Sequence, residues 1–110
     1  MPANTLNLNL NIYGVTCRTM QCCAITVAKK WFGLVMNVPG TKLGLNTHDD
    51  VDVLDVKVRP EHIGSLRRKE GILPAWHMNK EHWVSVILDG PLTADEIHNL
   101  LSESHRLTPA

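Results

Sequence analysis

The chain has 110 residues, 44% of them apolar and 20% charged, with Lys plus Arg and Asp plus Glu each totalling 11. That length holds one domain around one core, and the balance is globular rather than disordered. A formal net charge of zero removes the global field behind general nucleic-acid or membrane affinity, so either would have to rest on local patches.

No apolar run reaches the roughly 18–20 residues that cross a bilayer. The amino end alternates Asn with Leu and lacks the basic start and long apolar stretch of a signal peptide. The expected location is the cytoplasm. Cys17, Cys22 and Cys23 form an odd set without a CxxC pair, which excludes a disulfide framework and suits a reducing compartment.

Met1 to Met20 carries no persuasive period; Leu6, Leu8 and Leu10 fit a thin-faced strand or a frayed arm. Cys22 to Ala28 reads as a strand through the β-branched Ile25, Thr26 and Val27. Lys29-Lys30 is the expected turn into a second strand, Trp31 to Val38, with Phe32, Leu34, Met36 and Val38 on one face. Pro39-Gly40 opens a polar loop that runs to about Asp50. Val51 to Val58 follows as a strand, with Leu54, Val56 and Val58 on one side and Asp55 and Lys57 on the other.

Pro60 suits the first position of a helix, predicted to about Glu70 with Ile63 and Leu66 inward and Gly71 as its stop. Ile72 to Lys80, with Pro74 inside, reads as an ordered loop. His82 to Leu88 alternates as a strand, Val84, Val86 and Leu88 against Trp83 and Ile87. Asp89-Gly90-Pro91 breaks it. Thr93-Ala94-Asp95-Glu96 has capping-box form and starts a helix to about Arg106, with Ile97, Leu100, Leu101 and Leu107 as its apolar stripe. The order predicts a single α+β domain over residues 1–110, poorly defined over 1–20, with helices packed on one face of an antiparallel sheet.

Pro74-Ala75-Trp76-His77-Met78-Asn79-Lys80-Glu81-His82-Trp83, followed by a strand and Leu88-Asp89-Gly90, resembles the signature of the MmcQ/YjbR family, approximately P-x-[YW]-H-M-N-K-x-H-W and then L-D-G. Lys30 to Met36 is similar to that family's K-W-F-A-L-[IV]-M strand, and Val53 to Lys57 holds the place of its strand ending in L-K-C. The likeness runs from about Lys29 to Thr108. It implies a CyaY-like (frataxin-like) double-wing fold and a DNA-binding role, the latter by fold analogy.

Two departures stand out. Arg59 replaces the family's Asp before Pro-Glu, which gives up a cap worth about 1 kcal/mol and sets a cation against the helix dipole. Cys17 to about Ala28 does not follow the family's text, although Tyr13 to Thr16 does. Shifting GC-leaning codons of Cys17 to Thr26 by one base yields P-D-N-A-V-L-R-H-H, so the stretch reads as frame-shifted and its three cysteines as accidental.

The chemistry is sparse. His77 and His82 would need further ligands to hold a metal; His48, His62, Asp49 and Asp50 qualify by type alone, and His98 and His105 have no partner at a recognised spacing. No metal and no cofactor is expected. Ser65, Ser85, Ser102 and Ser104 lack an elbow-type glycine context, and Asp49, Asp50, Asp52 and Asp55 read as a solvated acidic cluster. The acidic run Asp49 to Asp55 makes frataxin-like metal or partner binding a third-ranked alternative, because frataxins use an acidic ridge centred on their first helix and this chain has nothing comparable there.

His77 and Asn79, in a proline-bounded loop, are expected to hydrogen-bond backbone groups. Met78, His82, Trp83, Asp89 and Gly90 complete that structural motif. Arg67, Arg68 and Lys69 sit where positive charge suits a helix C-terminus. Joined with Lys57, Arg59, Lys80 and His77, they would make a phosphate-contacting strip, with Trp76 as a stacking or wedge residue. The leading expectation is a non-enzymatic protein that binds duplex DNA and no membrane. The alternative is a protein- or small-ligand-binding module built on the loop from His77 to Trp83.

Overall fold

Runs of alternating residues become six strands among the described residues, joined in one antiparallel sheet. The computed structural model describes residues 14–19, 22–27, 30–88 and 90–108, with side chains from residue 30 onward. Leu6, Leu8, Leu10, Tyr13, Lys29, Asp89 and the cysteine side chains lie outside the described residues. The strands are β1 (Gly14–Thr19), β2 (Cys22–Val27), β3 (Lys30–Pro39), β4 (Asp50–Lys57), β5 (Ile72–Pro74) and β6 (Trp83–Ile87). Their order across the sheet is β1-β2-β3-β4-β6-β5. Backbone from the stretch read as frame-shifted thus forms β2 and part of β1.

Two helices follow β4 and β6. A 3-10 turn, Pro60–His62, leads into the short α1 (Ile63–Arg67), and Ala94–Arg106 forms α2. The sequence predicts a longer first helix; Gly64 and Ser65 within α1 lower its α preference. Gly71 then turns the chain at φ 93, where a Cβ would lie 2.6 Å from Leu92 Cδ1. That turn sends Ile72–Pro74 into the sheet as an edge strand, not a loop as expected, with Ile72 opposite Val86. Proline is tolerated there because an edge strand leaves one side of its backbone unpaired.

Both helices cover the same face. Val35, Leu54, Val56, Ile72, Val84 and Val86 meet Ile97 and Leu101 of α2, while Ile63 and Leu66 of α1 pack alongside. The α2 cap forms as the sequence predicts: Glu96 N–H donates to Thr93 Oγ1 (3.2 Å) and Thr93 N–H donates to Glu96 Oε1 (3.1 Å). The other face is also apolar at its centre. Leu34, Met36, Val38 and Val53 are buried there, with Trp76, Met78 and Ile87 packed against them.

One residue changes sides. Ile25 pairs with Gly33 but Thr26 with Trp31, so Phe32 is the extra residue of a β-bulge. The bulge turns Phe32 to the helix side, fully buried, and away from Leu34, Met36 and Val38. Its ring meets His105 of α2 edge-on, centroids 5.0 Å apart. Beside it, the fully buried Ser104 donates its hydroxyl to the Phe32 carbonyl and accepts from the Lys57 N–H at 2.8 Å. One hydroxyl therefore ties α2 to β3 and β4.

Ser104→Ala leaves a backbone carbonyl and an amide unsatisfied beside the core, which costs about 1–3 kcal/mol. Urea unfolding should show that loss, against about 1 kcal/mol for Thr93→Ala. A Ser104→Ala midpoint unchanged from the parent would contradict the clasp.

Candidate functional site

The signature loop is built around Asn79. Its Oδ1 accepts from the Glu81 N–H at 2.7 Å, and its carbonyl accepts from the His82 (3.2 Å) and Trp83 (2.9 Å) amides. Val58 N–H then donates to the His82 carbonyl at 2.8 Å, fixing the loop to the end of β4. Asn79 meets the backbone role expected of it. His77 does not: it is exposed, sits in the left-handed region at φ 62, and lays its ring edge-on to Trp76 at 4.5 Å.

A groove of about 390 Å³ opens where β4 ends, the loop begins β6, and α2 finishes. Val58, Pro60, Trp83 and Leu107 give it apolar walls; Lys57, Arg59, Asn79 and His82 give it polar ones. Lys57 holds its Nζ 5.6 Å from the centroid of the Trp83 ring. Burial, and secondarily the charge of Lys30, pushes the Lys57 ammonium below its ordinary range. Arg59 starts the 3-10 turn without capping it; its Nε instead reaches Glu103 Oε1 at 3.1 Å. Arg106 meets the other oxygen of Glu103 at 3.0 Å. Hydrogen bonds from Arg59 and then Arg106 hold Glu103 below the usual carboxylate range.

The remaining cations lie elsewhere. Arg67 closes α1 and Arg68 follows it, both exposed, and Lys69 pairs with Glu96 at 3.6 Å near the start of α2, seven residues before Glu103. None of these three lines the groove. Trp76 is half-buried against the sheet face opposite α1, and its backbone N–H donates to Ser85 Oγ at 2.9 Å. The structure thus brings Lys57, Arg59, Asn79, His82 and Trp83 together and leaves Arg67, Arg68, Lys69, Trp76, His77 and Lys80 outside that groove. Met78 packs with Trp76 on the same face, and Gly90 is exposed, with a Cβ there 3.1 Å from Ile87.

Among the described residues, no three His, Cys, Asp or Glu converge as metal ligands. The most perturbed carboxyl is one the sequence reading placed in solvent. Asp55 is fully buried at mid-sheet, between Leu34 and Ser85 in register. It is no part of a solvated cluster, because the face it points to is covered by Trp76 and its neighbours. Ser85 donates its hydroxyl to Asp55 Oδ1, while Oδ2 is buried without a hydrogen-bond partner. Burial pushes the carboxyl up to about 7, against the opposing pull of the Ser85 bond. Alternation alone marked Asp55 as outward; the apolar residues flanking it on β3 and β6 were the available warning.

A folded carboxyl at about 7 keeps its proton well above the pH at which the unfolded chain releases it. The native state then binds more protons between about pH 4 and 7, so stability falls as pH rises through that window and levels off above it. Asp55→Asn carries no such charge. Chemical-unfolding curves across pH should show the parent losing a few kcal/mol relative to Asp55→Asn between those limits. Parallel curves for the two proteins would contradict a neutral, buried Asp55.

Comparison with known proteins places the whole architecture. The YjbR family model matches residues 10–107. YyaQ of Bacillus subtilis is 48% identical over 83 residues, covering 76% of this chain and 70% of that protein. YjbR of Escherichia coli is 35% identical over 54 residues, 48% of this chain and 46% of that one. A Pseudomonas syringae crystal structure superimposes with a TM-score of 0.88 at 39% identity, covering 99% of this chain and 100% of its own. A Deinococcus radiodurans protein follows at 0.63 and 26%, covering 86% and 67%. A signature loop locked by its own asparagine, a sheet with helices on one face and a family match across nearly the full length agree: the chain belongs to the YjbR family.

Proposed function

We propose that this protein is a non-enzymatic, cytoplasmic binding module that takes a small ligand in the groove between Lys57–Pro60, Asn79, His82, Trp83 and Leu107. The observation that supports it is the groove itself. Its volume of about 390 Å³ falls within the range of small-molecule sites, and it combines apolar walls with a few convergent polar groups. The groups present bind and orient: two cations, an aromatic ring and a histidine. Hydrogen bonds to Asn79 Oδ1 and Ser104 Oγ fix the backbone at Glu81 and Lys57 before any ligand arrives, which lowers the ordering cost of binding.

An NMR screen of small molecules tests this reading. Ligands that bind should shift the amides of Lys57, Arg59, Asn79, His82 and Leu107 together. A screen without binders, or binders that shift only residues remote from this corner, would overturn it.

Duplex DNA is a second reading, favoured by Arg67 and Arg68, which are exposed and pair with no carboxylate among the described residues. Phosphate contacts of that kind weaken steeply as salt rises. Reversing both charges should abolish retention of a duplex at low salt, and each lost contact should reduce the salt slope by about 1. Unchanged affinity in the double variant would end this reading.

A further inference from the structure

Resting on the groove reading, we infer that the ligand is a phosphate monoester carried on a flat apolar body, with Lys57 and Arg59 on the phosphate and the body against Trp83, Pro60 and Leu107. Charge leads there first. Lys57 has no carboxylate partner among the described residues; its Nζ stands over the face of Trp83, 5.6 Å from the ring centroid. Arg59 and Arg106 share the single carboxylate of Glu103, so Arg59 is only partly neutralised, and neither flanking acid, Glu61 or Glu81, lines the groove. Lys30, which opens β3, adds a repulsive charge on Lys57 that a bound anion would relieve.

Donor geometry narrows the anion. Only the Nε of Arg59 is used by Glu103, so its terminal NH2 groups stay available, and an ammonium supplies three more donors. A phosphate monoester offers three acceptor oxygens and close to two negative charges at pH 7, which suits two cations better than one carboxylate does. The walls narrow the remainder. Val58, Pro60, Trp83 and Leu107 are apolar, so inorganic phosphate alone would leave them in water, while a planar ring would cover them.

Phenyl phosphate, inorganic phosphate and phenol, each titrated by NMR into the intact protein, test the inference. Phenyl phosphate should saturate, shifting Lys57, Arg59, Asn79, His82 and the Trp83 indole. Inorganic phosphate and phenol should each bind about tenfold more weakly or worse, a step of about 1.4 kcal/mol. Lys57→Met, which keeps the stem and removes the charge, should weaken phenyl phosphate by a similar factor. Arg67→Ala, outside the groove, should not. Phenol binding as well as phenyl phosphate, or Lys57→Met without effect, overturns the phosphate assignment and leaves the groove reading standing. No groove shift with any of the three compounds overturns the assignment; if the wider screen is silent as well, the groove reading falls with it. Groove shifts caused by a short duplex but not by phenyl phosphate assign the corner to nucleic acid instead.

Discussion

A single buried hydroxyl holds the two layers of this protein in register. Ser104, on the inner side of α2, donates to the carbonyl of Phe32 and accepts from the amide of Lys57. Those two backbone groups belong to neighbouring strands, and the bond to Phe32 falls at the bulge that turns its ring toward the helix. The bulge, the edge-on contact with His105 and the clasp therefore depend on one another. Fixing the Lys57 backbone also fixes where β4 ends, and the groove begins there.

The opposite face is organised around a different polar group. Asp55 and Ser85 sit side by side in the middle of an otherwise apolar surface, and the Ser85 hydroxyl also receives the backbone N–H of Trp76. This bond draws the start of the signature loop down onto the sheet. Asn79 ties the far end of the same loop through its own side chain and carbonyl. Between the two anchors the chain passes through His77 in a left-handed conformation, which costs a non-glycine residue of order 1 kcal/mol. The loop is thus pinned at both ends, and its far end forms one wall of the groove.

Much of this was legible in the sequence. The period-2 pattern at Val84, Val86 and Leu88 and the capping box at Thr93 each state a local rule that the fold obeys, and the His-Met-Asn-Lys run carried the family. Three features were not legible because local rules do not encode them. A bulge at Phe32 interrupts the alternation, and the lone Gly33 beside it, the kind of residue that accompanies bulges, does not say which neighbour changes sides. Ile72–Pro74 is too short to show a period and becomes a strand only because β6 offers an edge. Asp55 looks like a solvent position, yet it is fully buried because a second element covers it, while Ser104 shares the helix face of Ile97 and Leu101 but its two backbone partners are set only by the fold. For the site, the sequence grouped cations by type along the chain; the fold separates Arg67, Arg68 and Lys69 from Lys57 and Arg59 and pairs two of the five with carboxylates.

The clasp, the loop anchors and the groove form one chain of cause, and its first link is the most exposed to test. Amide hydrogen exchange at Lys57 reports it directly, since that N–H has Ser104 Oγ as its acceptor at 2.8 Å. The account predicts that this amide exchanges as slowly as the core amides of β4, opening with the global transition. Exchange at the rate of the exposed residues around Arg67 and Arg68 would show that α2 does not hold the end of β4, and the preorganised groove would go with it.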